Sequence, residues 1–125
     1  MYLLDTNIFL EILLGQGKQN ECKNFILKNP GHCSFSDFTL YSIGIALFRK
    51  KLYAEYENFF KDIHSIMQMR SLPMQKQSLL TASARKLNLD FDDAYQYEVA
   101  KHYELTIVTM DKDFKAIKDT AVLFL

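Results

Sequence analysis

The sequence contains only two cysteines among its 125 residues, Cys22 and Cys33. Two cysteines are too few for a disulfide scaffold, and they do not form the CxxC pair that is typical of structural zinc sites. We therefore expect both to be reduced thiols that lie in or near the core.

The sequence also lacks an excess of charge of either sign, because fifteen Lys and Arg residues balance fifteen Asp and Glu residues. Proteins that hold nucleic acids by bulk charge carry clustered cations, so this balance argues against that class. A nucleic-acid substrate would need a local basic patch or a metal ion to hold it.

Long apolar runs are absent, and none approaches the ~20 residues that a membrane span needs. Residues 1–5 contain neither a basic leader nor a small-residue cleavage site, so a secretory signal is not indicated. The sequence shows no repeat and no linker, and its length suits one domain over residues 1–125. We therefore expect a single-domain cytoplasmic protein that does not associate with membranes.

Short apolar runs alternate along the chain with segments of helical periodicity. The predicted strands cover residues 2–4, 32–35, 66–69, 105–109 and 122–125. The predicted helices cover residues 8–13, 18–28, 37–51, 54–63 and 73–87, and a last helix is opened by Asp92 and Asp93. Thr6 or Asn7 is the predicted cap of the first helix and Ser36 that of the third, and Pro73 lies in the first turn of the fifth. In the fourth helix, Phe59 and Phe60 are predicted to point inward. This alternation predicts an α/β fold, a three-layer α/β/α sandwich with a central parallel β-sheet.

Three aspartates follow strands or begin a helix, where a parallel α/β fold binds its ligands. Asp5 ends the first strand, Asp111 follows the strand that ends at Thr109, and Asp93 lies in the first turn of the last helix. Converging carboxylates repel each other, and a divalent cation relieves the repulsion. Hard oxygen ligands without His or Cys indicate Mg²⁺ or Mn²⁺. The alternative is that each aspartate only caps a helix or forms a turn.

Three motifs resemble the PIN domain, and most closely the small VapC-like toxins of prokaryotic toxin–antitoxin pairs. They are LDTN at residues 4–7, DA at residues 93–94 and TMDKDF at residues 109–114. The resemblance covers essentially the whole chain, and the last motif is its most specific part.

The resemblance implies a metal-dependent endoribonuclease that hydrolyses RNA phosphodiester bonds and that a cognate antitoxin protein neutralises. Asp5, Asp93 and Asp111 match the catalytic, metal-binding aspartates of the family. Three further positions match supporting or additional ligand positions, namely Asp113 as a further metal ligand, Asn7 as a polar residue and Thr109 as a small hydroxyl residue.

One position departs from the family pattern, because Ser42 stands where the family has a Glu on its third helix. Asp37 is no obvious substitute, since it lies five residues earlier and therefore about 500° around the helix, on another face. With one carboxylate fewer, we expect one metal ion rather than two.

Two surfaces are candidates for binding partners. Lys112 adjoins Asp111 and could attract RNA, although a solvated surface is the simpler reading of the lysines near it. Apolar residues of the third and fourth helices, Phe48, Leu52 and Tyr56, exceed what one small core needs and favour a dimer face or an antitoxin groove.

Two other functions stay open from the sequence alone. One is a catalytically weak or inactive PIN-like module that binds RNA or a partner protein. A phosphoryl-accepting receiver-like domain is less favoured, because the acid pair at the end of the first strand and a lysine after a late strand are both missing.

Overall fold

The computed structural model describes all 125 residues and contains one parallel sheet. Its five strands are β1 (Tyr2–Leu4), β2 (Cys33–Ser36), β3 (Gln68–Arg70), β4 (Thr106–Thr109) and β5 (Val122–Phe124). They are ordered β3-β2-β1-β4-β5, and every neighbouring pair is parallel. The predicted central parallel sheet is therefore confirmed.

Helices connect the strands. The six α-helices are α1 (Thr6–Leu13), α2 (Gln19–Lys28), α3 (Asp37–Arg49), α4 (Tyr53–Ile66), α5 (Leu79–Leu87) and α6 (Phe91–Tyr103), and two short 3-10 turns cover Met74–Lys76 and Lys112–Ala116. None of the helices combines the length and the apolarity that a membrane-spanning segment requires.

The core is divided by the sheet into two apolar clusters. Leu3 and Leu4 are both completely buried, and successive strand residues point to opposite faces of a sheet. Leu3 packs with residues of α5, α6 and the second 3-10 turn, including Phe114. Leu4 packs with residues of α1, α2, α3 and α4. Helices therefore cover both faces, and the predicted three-layer α/β/α arrangement is confirmed.

The order of the strands places β1 beside β4 at the point where the chain reverses its direction across the sheet. From β1 the chain moves outward to β2 and β3, and it then returns to β4 on the other side of β1. Leu4 pairs with Val108, so β1 and β4 end at the same rim. Because α6 leads directly into β4, the helix begins at that same rim. Ligands of such sheets bind at this kind of switch point.

Two predicted helix starts differ from the structure. The cap of α1 is Asp5 rather than Thr6 or Asn7, and its carboxylate accepts a hydrogen bond from the Thr6 backbone N–H at 2.8 Å. Pro73 has an extended ψ of 145° and precedes a 3-10 turn, so α5 begins only at Leu79. The predicted cap Ser36 is confirmed, because its hydroxyl accepts a hydrogen bond from the Thr39 N–H.

The prediction that Phe60 points inward is wrong. Phe59 is 8% exposed and packs edge-to-face on Phe9, whereas Phe60 is 42% exposed and stacks on His64 one turn along α4. Adjacent helical residues point about 100° apart, so two consecutive phenylalanines cannot both place their rings in one narrow core-facing stripe.

These neighbouring phenylalanines provide a matched test of the core. We expect Phe59→Ala to lower the free energy of unfolding by about 3–5 kcal/mol, because it empties a packed site. We expect Phe60→Ala to lower it by about 1 kcal/mol or less, because the ring is partly in water already. Urea denaturation of both variants measures the difference, and equal losses would contradict the assignment of the faces of α4.

Candidate metal centre

Three of the four acidic residues that the sequence predicted as metal ligands converge at the rim shared by β4 and α6. Asp93, Asp111 and Asp113 each place a carboxylate oxygen within 4.8 Å of the other two. Asp93 comes from the first turn of α6, and the other two come from the segment that follows β4. The fold thus brings together carboxylates that are widely separated in the sequence.

Asp5 is buried to about the same extent as Asp93, but it is not part of the same close group. Its carboxylate is buried and accepts hydrogen bonds from the Thr6 N–H at 2.8 Å and the Thr109 hydroxyl at 2.7 Å. Burial raises the pKa of Asp5, while hydrogen bonds chiefly from Thr109 and Thr6 oppose the rise and the charge of Asp111 adds to it. Asp5 is therefore a desolvated carboxyl group whose pKa also depends on the charge of Asp111.

Asp93 carries the strongest sign of mutual repulsion. Burial and then the neighbouring charges of Asp92, Asp111, Asp5 and Asp113 raise the pKa of Asp93 to about 7. Every one of these neighbours disfavours the ionised form. A bound divalent cation would reverse this balance, because its charge favours ionised carboxylates.

Hydrogen bonds of Thr109 and Asn7 link Asp5 to the segment that contains Asp111. The Thr109 hydroxyl donates to Asp5 and accepts from the Asp111 backbone N–H at 2.9 Å. The Asn7 amide donates to the Thr109 hydroxyl at 3.4 Å and accepts from the Met110 N–H at 3.4 Å. These two side chains therefore join the start of α1 to the segment that carries Asp111.

Two of the aspartates have the local structural role that the sequence left open. Asp5 caps α1, and Asp111 caps the 3-10 turn by accepting a hydrogen bond from the Asp113 N–H at 2.9 Å. Each cap uses one lone pair of a carboxylate that has about four acceptor positions in all. Asp5 accepts two further hydrogen bonds, from Thr109 and Gln96, so it keeps about one free acceptor position, whereas Asp111 keeps about three.

The remaining predicted positions are not members of the carboxylate group. Ser42 lies half-buried on α3. Lys112 is exposed next to Asp111 and forms no ion pair. Asp37 accepts a hydrogen bond from the Tyr95 hydroxyl of α6 at 2.7 Å and is not part of the acidic group.

Two residues of the site, Gln96 and Thr39, could not be predicted from the sequence motifs. The Gln96 amide donates to Asp5 at 3.3 Å and to the Thr39 hydroxyl at 2.8 Å, and both residues are almost fully buried. The available signal was that Gln96 lies three residues after Asp93, so both side chains are on one face of α6. The sequence did not indicate the hydrogen-bond partners of Gln96, because Asp5 and Thr39 lie 91 and 57 residues away along the chain.

The donor set fits a hard divalent cation. Asp93, Asp111 and Asp113 offer carboxylate oxygens only, and neither cysteine nor histidine takes part in the group. Oxygen-only sites select Mg²⁺, Ca²⁺ or Mn²⁺ over softer metals. The raised pKa of Asp93 shows that, without a cation, the cluster retains a proton near neutral pH.

Solved structures of toxin proteins share this fold. A protein of a toxin–antitoxin complex from Klebsiella pneumoniae matches with a TM-score of 0.81 at 20% identity, covering 98% of this chain and 96% of its own. VapC20 of Mycobacterium tuberculosis, described as a sarcin–ricin loop cleaving toxin, matches with a TM-score of 0.80 at 14% identity over 93% and 94% of the two chains. VapBC2 from Rickettsia felis, bound to a promoter DNA fragment, matches with a TM-score of 0.75 at 16% identity over 99% and 98%.

The sequence comparisons identify the family. No curated protein matches the sequence significantly. The PIN domain family, in contrast, matches residues 2–119, which is nearly the whole chain. The resemblance in the three motifs is therefore confirmed, and the protein belongs to the PIN domain family.

Proposed function

We propose that this PIN domain is a metal-dependent endoribonuclease and the toxin of a toxin–antitoxin pair. The observation that carries the proposal is the convergence of Asp93, Asp111 and Asp113 within 4.8 Å at the switch point of the sheet. Proximity of this kind among like charges is costly unless a cation binds there. The fold shared with VapC20, a toxin described as cleaving the sarcin–ricin loop, supports RNA as the substrate class.

In this proposal Asp5, Asp93 and Asp111 would hold Mg²⁺ or Mn²⁺, with Asp113 as a further ligand. When bound there, the ion would serve as a Lewis acid toward a phosphodiester and would lower the pKa of a coordinated water. The chain itself keeps the ligands in place, since Thr109 and Asn7 join Asp5 to the backbone of Asp111. With Ser42 on α3 instead of a carboxylate, we propose a single ion.

Lys112 is our candidate for contact with the RNA backbone. Its ammonium is exposed, is free of ion pairs and belongs to the residue directly after Asp111. The formal net charge of zero leaves little long-range attraction for a polyanion. A cation at the acidic rim and Lys112 beside it would supply that attraction locally.

The partner protein has a candidate surface between α1, α2 and α4. A groove of about 320 Å³ lies there, and its apolar lining includes Phe9, Ile12, Ile26 and Ile63. Glu55 and Asp62 of α4 add negative charge to it. We propose that it receives an amphipathic antitoxin segment with apolar and basic side chains. The antitoxin complexes among the structures of similar fold support this kind of partner.

A second apolar surface lies where the sequence indicated surplus apolar residues. Phe48 is 51% exposed, and Tyr41 and Ile45 of α3 are exposed beside it, whereas Leu52 and Tyr56 are half-buried against the core. We propose this face of α3 for contact with a second copy of the chain, because exposed apolar patches of this kind mark protein interfaces.

Metal binding is the first test of the proposed function. We expect Mn²⁺ to bind the wild type in calorimetric titration, and we expect Asp93→Asn to weaken binding at least tenfold, because one of the three carboxylates of the group is lost. Asp119→Asn is the matched control, since Asp119 bonds to Tyr97 away from the cluster. If Asp93→Asn and the control titrate alike, the metal centre has no basis.

The pH dependence of stability follows from Asp93. Its pKa rises from 3.8 to about 7 on folding, so between these values the folded state retains a proton that the unfolded state has lost. In EDTA, the stability that the folded state gains from the protonation of Asp93 is therefore complete below about pH 4 and is lost as the pH rises through about 7. Thermal unfolding midpoints should fall over this range more steeply for the wild type than for Asp93→Asn. Parallel curves would contradict the raised pKa.

Cleavage of RNA separates the enzyme from the inactive binding module. We expect the wild type to cut structured RNA in Mg²⁺ and to stop in EDTA. Ser42→Glu restores the carboxylate that the family has on α3, and we expect it to increase the rate about tenfold or more. The alternative, an RNA- or protein-binding module, is favoured by the missing carboxylate at Ser42 and predicts no cleavage from either protein.

A further inference from the structure

One buried amide connects the three elements that surround the acidic rim. Gln96 of α6 is 1% exposed, and its Nε2 lies 3.3 Å from Asp5 Oδ1 and 2.8 Å from Thr39 Oγ1. Asp5 follows β1 and begins α1, and Thr39 belongs to the first turn of α3. A single side chain of α6 thus contacts both of the other elements.

We propose that Gln96 is a positioning residue that orients the Asp5 carboxylate for cation binding. The proposal rests on the metal-dependent function proposed above and assigns to that site a residue outside the acidic set. Gln96 itself is not a ligand in this proposal, since it acts through Asp5.

The other hydrogen bonds to Asp5 do not involve α6. The Thr6 N–H belongs to the next residue, and the Thr109 hydroxyl comes from the adjacent strand β4. Gln96 donates from the helix that also carries Asp93, three residues earlier on the same face. The amide therefore sets the position of Asp5 relative to Asp93.

A purely structural role explains this residue poorly. Gln96 lies between apolar core residues of α6, and its Oε1 is buried without a hydrogen-bond partner. A buried acceptor without a partner is destabilising, and an apolar side chain would avoid that cost. The Gln96 amide donates hydrogen bonds both to the desolvated Asp5 carboxyl group and to the Thr39 hydroxyl.

The contact with Thr39 explains how α3 supports the site without a carboxylate. Thr39 also contacts the Thr6 hydroxyl at 3.0 Å and the Ser36 hydroxyl at 3.3 Å, so it is held from three sides. Ser42 lies three residues further along the same helix face. The neutral hydrogen-bond chain through Thr39 and Gln96 connects α3 to Asp5 without adding negative charge.

Calorimetric Mn²⁺ titration tests the proposal. We expect Gln96→Leu, which keeps the volume and removes the donor, to weaken Mn²⁺ binding by about tenfold or more, as loss of a ligand-orienting partner does elsewhere. Ser83→Ala is the matched control, because it removes a hydrogen bond to Glu98 on α6 and does not touch the site. We expect the control to bind Mn²⁺ within about twofold of the wild type. A Gln96→Leu protein with a lower melting temperature but unchanged Mn²⁺ affinity would overturn the proposal.

A second pair of variants tests the same link if Gln96→Leu does not fold. Thr39→Val removes the acceptor of the amide while it keeps the shape, and Thr39→Ser keeps the hydroxyl. We expect weaker Mn²⁺ binding for valine and near wild-type binding for serine.

The outcomes distinguish the two proposals. If the wild type does not bind Mn²⁺, the proposed function is wrong and the role of Gln96 falls with it. If the wild type binds, Asp93→Asn does not, and Gln96→Leu or Thr39→Val binds as the wild type does, only the role of Gln96 is wrong.

Discussion

The rest of the site depends on the burial of the Asp5 carboxyl group at the junction of β1 and β4. Asp5 is almost completely removed from water, and it stays compatible with the fold through hydrogen bonds from Thr6, Thr109 and Gln96. Hydrogen bonds to a buried carboxylate offset part of its desolvation cost. They also fix its orientation, so the elements that supply them, α1, β4 and α6, are fixed relative to each other.

This constraint explains why local structure and the proposed metal binding share residues. Asp111 caps a 3-10 turn and at the same time approaches Asp93, and Asp5 caps α1 while it interacts with Thr109. A cap has a defined orientation, because its carboxylate is held by a backbone N–H. The cap positions of Asp5 and Asp111 therefore also preorganise their carboxyl groups for the proposed metal ion.

Most of the fold could be predicted because its signals are local. The apolar runs at residues 2–4 and 105–109 indicated buried strands, and the alternation with helical segments indicated a parallel sheet, as the structure shows. The errors also have local causes. Phe60 has the same chemistry as Phe59 and differs only in helix phase, and Pro73 suits a helix start and an extended residue equally.

The element order, the fold class and the acidic candidates could be predicted from the linear chain, since apolar periodicity and aspartates after strands are visible there. Folding in three dimensions brings Asp93 close to Asp111 and Asp113, raises the pKa of Asp93 through burial and through repulsion from its acidic neighbours, and places Gln96 against Asp5 and Thr39. These are properties of pairs that lie far apart along the chain. Electrostatic and hydrogen-bond energies depend on distance and desolvation in space, which no spacing along the sequence contains.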